Sequence, residues 1–452
     1  MSKIKEIDEI LEIKKMQFPY NGVCMFEDKE ILLKNHLPQE KVKISYKKTR
    51  RGYQGKVLEI VEKSPMEITP KCSDFDFCGG CTFQNITYEI ELKIKESMVL
   101  NLFIENNISY ENYLGIKKSP EVSGYRNKME YSFGDNGKDT PISLGMRKRN
   151  SFYETVTANY CNIVDDDYNT ILNGVVTFFR NTDEKFYHKM TKEGTLRHLL
   201  VRKGKHSNEI LIALITTSEY NGDLEKFKEM ILNLKLEGII TGIIHIENNA
   251  IADVVKCDKL TMLYGRDFIY DSIFDIKFKI SIFSFFQTNT LGAESLYSIV
   301  RDFIGEQKES VVFDLYCGTG TISQIVASVS KKVVGVEIVE EAIESAKVSA
   351  LENGIKNIDF YADDVLRALD YIVDKPDFII LDPPRDGINP KAIEKIINYN
   401  VDKIIYVSCK PTSLVRDLKI FIENGYKVEK IVLQDMFART YHVETVCLIT
   451  KK

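Results

Sequence analysis

From about residue 290 onward the chain repeats one pattern, a short unbroken apolar run followed by a longer helix-like stretch. The runs are "SVVFDLYC", "KKVVGVEI", "NIDFYAD", "DFIILDPP" and "KIIYVSC". Apolar runs separated by helices are what strands covered on both faces demand, so the pattern predicts a doubly wound parallel sheet over residues 286–452. Residues 16 to about 65 read differently. Short runs such as "GVCMF", "EILLK", "EKVKISYKK" and "GKVLEIVEK" are joined by turn residues, the pattern of a small β-barrel of the oligonucleotide-binding type, assigned to residues 1–65. A helix is predicted from about Tyr88 to Asn106. Strands such as "EILIALIT" and "GIIHIEN", mixed with charged helices, make residues 66–285 a central α+β segment.

Composition changes this picture in two places. The chain has 452 residues, 44% hydrophobic, with no apolar run near the roughly 18–20 residues a membrane span needs and a charged start, "MSKIKEIDEI". The expectation is a soluble cytoplasmic protein without a membrane partner. The formal net charge of −5 does not advertise a nucleic-acid partner, yet residues 41–56 hold seven Lys or Arg and no Asp or Glu. Smaller basic clusters lie at 146–150 and 196–206. Such a basic rim suits single-stranded nucleic acid, and a solvated strand face explains it equally well.

Candidate chemistry sits at the carboxyl ends of the C-terminal strands, where open α/β sheets bind ligands. In "DLYCGTGTIS" (314–323), Gly318 and Gly320 let the backbone approach a ligand, and Glu337 ends the next strand where a carboxylate can accept from two ribose hydroxyls. The third glycine of the dinucleotide fingerprint is absent, which favours S-adenosylmethionine over a pyrophosphate cofactor. Asp364 and Asp382 end the third and fourth strands. Pro383 and Pro384 fix a rigid turn after Asp382, a segment also found in amino-group methyltransferases. Cys409 then ends a fifth strand. Alone it reads as a small buried hydrophobe or as a nucleophile, and Glu444, on the otherwise apolar "ETVCLIT", reads as a salt-bridged residue or as a base.

Taken in order, "FFQTN" (285–289), "DLYCGTG" (314–320), "LDPPR" (381–385), "SCKP" (408–411) and "HVETV" (442–446) resemble the RNA uracil-5-methyltransferases over most of the chain. The resemblance implies a class I, S-adenosylmethionine-dependent enzyme with a Rossmann-like C-terminal domain. It makes Cys409 the nucleophile that adds to C6 of uracil and Glu444 the base that removes the C5 proton. It assigns Gln287, Tyr316, Glu337 and Asp382 to the methyl donor, with Asp364 at an additional, less constant position. What lowers the thiol pKa stays open, and Lys410 is set aside because adjacent strand residues point to opposite faces.

"KCSDFDFCGGCTF" (71–83) places three thiols close together, and Cys161 is the nearest later cysteine. Four thiolates suit zinc or an iron–sulfur cluster. Among the family, ribosomal-RNA members carry a [4Fe–4S] cluster on such a pattern together with an N-terminal TRAM barrel, whereas transfer-RNA members typically lack both. The resemblance therefore implies cluster ligands Cys72, Cys78, Cys81 and Cys161, and a monomeric enzyme acting on a single-stranded or flipped-out uridine of 23S ribosomal RNA. The alternatives are a transfer-RNA uridine, or a non-catalytic RNA-binding or ribosome-assembly factor on the same fold. A radical enzyme is disfavoured by the absence of C-x3-C-x2-C.

Overall fold

The structure is a computed structural model that describes residues 4–50, 52–138, 140–252 and 255–452. Its N-terminal part is one six-stranded sheet whose spatial order is Lys5–Glu12, Lys41–Thr49, Gly52–Glu62, Lys29–Lys34, Asn21–Phe26, Lys15–Gln17. Alternation explains its inner face: Val42 and Ile44 are fully buried beside Ile31 and Leu33, while Lys41 and Lys43 point outward. Those two cations are not free. Lys41 pairs with Glu62 at 2.6 Å and Lys43 with Glu59 at 2.8 Å on the neighbouring strand, so part of the basic rim is neutralised locally.

The middle of the chain forms a seven-stranded mixed sheet, ordered Thr155–Val156, Ser143–Arg147, Lys128–Gly134, Leu196–Lys203, Glu209–Thr216, Ile239–Glu247, Lys259–Gly265. The helix Asp166–Arg180 packs Ile171, Leu172 and Val175 into its core.

The third sheet has eight strands in the order Ile358–Ala362, Ser330–Glu337, Gln307–Leu315, Phe378–Leu381, Lys403–Ser408, Glu444–Lys451, Tyr426–Gln434, Tyr110–Lys117. The first five are parallel, as their unbroken apolar runs predict. Both faces are covered. Ile379 and Leu381 belong to one core cluster and Phe378 and Ile380 to the other, which is the period of two in a strand buried on both sides. Glu444–Lys451 departs from the all-parallel expectation by running antiparallel to both neighbours. Its chain arrives directly from Tyr426–Gln434, without the crossover that a parallel strand would need.

One boundary needs correcting. The strand Tyr110–Lys117, expected within the central segment 66–285, pairs parallel with Tyr426–Gln434 of the C-terminal sheet. The helix Tyr88–Glu105 before it, capped by Thr87, buries Val99, Leu102 and Phe103 in the same core as Leu418 and Phe421. That apolar stripe finds its cover on the third sheet. The helix also carries a fully buried charge cluster: Lys95 Nζ lies 2.8 Å from Glu91 and 2.7 Å from Asp435, and Tyr88 donates to Asp435 at 2.7 Å. Among the described residues no helix is long and apolar enough to cross a membrane.

Candidate active site

Cys409 stands where the strand Lys403–Ser408 stops and Pro411 opens the helix Pro411–Glu423, so proline's fixed φ turns the chain immediately after the thiol. The neighbouring antiparallel strand pairs Val407 with Val446 and Ser408 with Thr445. One residue beyond that last pair stand Cys409 and Glu444, and both line the same cavity. The thiol is half-buried and the carboxyl almost completely buried.

At the first strand-to-helix turn, Tyr316, Gly318 and Gly320 all have positive φ, of 70°, 55° and 71°. For Tyr316 this costs about 1–3 kcal/mol. Two hydrogen bonds offset it, from the Tyr316 and Cys317 N–H groups to the Val336 carbonyl at 2.9 and 3.0 Å. Gly320 is glycine for a packing reason as well, since a Cβ there would come within 2.8 Å of the Phe360 ring. Space around Gly318 is open, leaving its backbone exposed to a ligand. Glu337 accepts from Gly318 N–H at 3.2 Å and from Val339 N–H at 3.0 Å, one bond on each oxygen, with lone pairs to spare. Asp364 caps the helix Val365–Tyr371 through Leu366 N–H at 2.9 Å.

A cavity of about 330 Å³ opens over this turn, and Gln287, Tyr316, Asp382, Cys409 and Glu444 all line it. Five sequence-predicted residues thus converge on one space. Glu337 and Asp364 do not line it; burial first, then the charges of Asp364, Asp417 and Glu337, hold the Tyr316 hydroxyl protonated. The electrostatics are tense. Burial pushes Glu444 up to about 8, helped by the Asp382 charge, and pushes Asp382 up to about 7, helped by Asp314. Cys409 rises to about 11, mainly by burial and then by Glu444 and Asp382.

Arg385 opposes these effects, lowering both Cys409 and Glu444. Sequence reasoning left this role unassigned. The available signal was the cation closing "LDPPR". Lys410, set aside on strand geometry, instead reaches toward Asp386 at 4.0 Å. Tyr297 and Phe437 also line the cavity without having been singled out.

Cys72, Cys78, Cys81 and Cys161 line a separate cavity of about 310 Å³. Burial raises every one of these thiols, Cys81 to about 12 and Cys161 to about 11, and neighbouring thiols add to the effect at Cys78, Cys81 and Cys161. Gly80 N–H donates to Cys78 Sγ at 3.4 Å and the Gln84 amide to Cys81 Sγ at 3.6 Å. Among the described residues no group of three or more His, Cys, Asp or Glu is gathered tightly enough to hold a single ion. Four thiols around an open space, with N–H donors on two sulfurs, fit a ligand with its own bulk.

The description tRNA (uracil-5-)-methyltransferase belongs to the family model that matches residues 87–452. An uncharacterized RNA methyltransferase from Clostridium tetani is 45% identical over 454 aligned residues, covering 100% of this chain and 99% of the relative. Another from Clostridium acetobutylicum is 47% identical, covering 97% of each. A solved structure of Pyrococcus abyssi tRNA (uracil-54, C5)-methyltransferase in complex with S-adenosyl-L-homocysteine shares the fold. Its TM-score is 0.76 at 22% identity, covering 97% of this chain and 100% of that one. The donor-type turn, the cavity above it and these matches agree: this chain belongs to the RNA uracil-5-methyltransferase family of S-adenosylmethionine-dependent enzymes.

Proposed function

We propose that the enzyme methylates C5 of a uridine in 23S ribosomal RNA through a covalent bond between Cys409 and C6. The observation that carries this reading is that Cys409 and Glu444, each one residue beyond the pair Ser408–Thr445, line the same cofactor-type cavity. C5 of uracil is a poor nucleophile. Addition of the Cys409 thiolate to C6 moves the C5–C6 electron pair toward C5 and the O4 carbonyl, giving an enolate that attacks through C5. Gln287, Tyr316, Glu337, Asp364 and Asp382 would hold S-adenosylmethionine, which would supply its sulfonium methyl group to C5 and leave as S-adenosylhomocysteine. Glu444, ionised, removes the C5 proton, and re-formation of the C5–C6 double bond expels the thiolate. Arg385 stabilises the thiolate at both ends of this sequence.

The ribosomal substrate is supported by two features that the resemblance attaches to ribosomal-RNA members. The N-terminal six-stranded sheet would be the TRAM barrel, and the four-cysteine cavity would hold a [4Fe–4S] cluster on Cys72, Cys78, Cys81 and Cys161. The proposed reaction moves no electrons, which gives the cluster a folding or RNA-placing role. In this reading residues 1–65 bind RNA, 66–285 carry the cluster, and 286–452 are catalytic together with residues 88–117. A monomer in the reducing cytoplasm, which keeps the nucleophile a free thiol, completes it. Likeness to the Pyrococcus abyssi enzyme favours a second reading, a transfer-RNA uridine. Mapping 5-methyluridine after incubation with 23S and transfer-RNA transcripts decides between them. Modification of transfer RNA alone would overturn the first. Iron and acid-labile sulfide in anaerobically purified protein test the cluster, and a colourless zinc protein would refute it.

A further inference from the structure

A second cavity, of about 270 Å³, meets the thiol from another side. Cys409 and Arg385 line both it and the cofactor-type cavity, and its remaining walls include Tyr441, His442, Phe18 and Pro19. The last two do not come from the catalytic part. They lie in the turn between the strands Lys15–Gln17 and Asn21–Phe26 of the N-terminal sheet, outside the residues that the family model matches. Phe18 leaves the core of its own sheet and packs against that of the catalytic sheet. Its ring meets Tyr441 edge-on at 6.1 Å, Tyr20 stacks on Tyr441 at 5.1 Å, and Tyr441 lies 4.2 Å from His442.

We infer that this cavity is the seat of the target pyrimidine nucleotide and that Phe18 of the N-terminal sheet supplies one of its walls. The inference rests on Cys409 being the nucleophile. A base attacked at C6 must lie against the thiol with C5 still open to the methyl donor and to Glu444 in the cofactor-type cavity, so the rest of its nucleotide needs room past Cys409 and Arg385, outside that cavity. This cavity provides it. Extruded bases are held between aromatic or apolar side chains, and Phe18, Pro19 and Tyr441 give such a lining, with Arg385 at its edge as a partner for a carbonyl or phosphate oxygen. The N-terminal sheet then does more than tether RNA. It completes the pocket, so residues 87–452 alone present the nucleophile with one wall missing.

The test uses full-length enzyme and RNA carrying 5-fluorouridine, from which the adduct cannot be released. Phe18→Ala should slow adduct formation on the order of 10- to 100-fold, the effect of losing one base–aromatic contact. Phe18→Tyr should restore it, with methyl-donor affinity the same in all three proteins. Adduct formation at the wild-type rate in Phe18→Ala overturns the inference. If Phe18→Ala does not fold, Phe18→Leu keeps the apolar packing without the ring: slowed trapping with intact donor binding supports the assignment, and unslowed trapping refutes it. Absence of any adduct with the wild type would instead remove the nucleophile reading itself, and this inference with it.

Discussion

Cys409 and Glu444 each stand one residue beyond the last antiparallel pair, Ser408–Thr445, and both line the cofactor-type cavity. The negative charge of Glu444 is one of the influences holding Cys409 protonated, so the two groups are coupled before any substrate arrives. The coupling separates their roles by time, the thiolate being needed first and the carboxylate last. Replacing Glu444 by Gln should leave C6 addition and methyl transfer intact and block C5 deprotonation. Turnover should fall on the order of 10²- to 10⁴-fold. Denaturing gels should show a Cys409-linked RNA accumulating with ordinary uridine substrate, which the wild type releases.

Activity should climb with pH between about 7 and 9, because Glu444 and Cys409 both act deprotonated and both titrate high. Stability should move the other way. The folded protein holds the Glu444 proton up to about 8, against an ordinary value of 4.5, and the Asp382 proton up to about 7, against 3.8. Within those windows the unfolded chain has given up protons that the native state keeps, so unfolding free energy declines as pH rises through them. Paired rate profiles and urea titrations at pH 6, 7, 8 and 9 check both slopes. A rate that falls above pH 7 contradicts the assignment.

Arg385 is the cation whose loss should be felt at the thiol. Arg385→Met should raise Cys409 further and slow its alkylation by iodoacetamide at pH 8 by about tenfold for each unit of added pKa. Peptide mass spectrometry isolates Cys409 from the other eight cysteines. Because Arg385 is exposed, folding should survive the change.

Much of the site was legible because each residue broke a local rule. Glu444 stands out as a carboxylate on an apolar strand, and Cys409 as a thiol at a strand end just before a proline. The two glycines follow the first apolar run of the C-terminal sheet. Arg385 broke no rule. A cation in a turn is ordinary, and only the fold brings it to the same cavities as Cys409. The placement of Tyr110–Lys117 was hidden for a related reason: its partner lies more than 300 residues away, at Tyr426–Gln434. Phe18 read as one apolar residue in a barrel, since nothing local marks a side chain that packs on another sheet. The Lys41 and Lys43 stripe was visible, but the Glu59 and Glu62 that answer it lie across a register that contains shifts.

The buried cluster of Lys95, Glu91 and Asp435 anchors the segment that leads into Glu444. Arg439 N–H donates to Glu91 at 2.7 Å, and the Arg439 carbonyl accepts from Thr82 and Phe83 beside the cysteine cavity. Lys95→Met leaves Asp435 buried without a cation and Glu91 with only the longer Arg439 contact of 3.4 Å, and should cost about 3–5 kcal/mol in urea unfolding. A change below 1 kcal/mol would show that the cluster is not sealed from water.

The most direct test of the central claim is covalent trapping. Full-length enzyme, methyl donor and RNA containing 5-fluorouridine are incubated and resolved under denaturing conditions, with the cross-linked peptide sequenced by mass spectrometry. The account predicts a stable protein–RNA adduct at Cys409, absent from Cys409→Ala, although that variant still binds the methyl donor. Trapping undiminished in Cys409→Ala, or no adduct from a wild type that methylates the unmodified RNA, would contradict it.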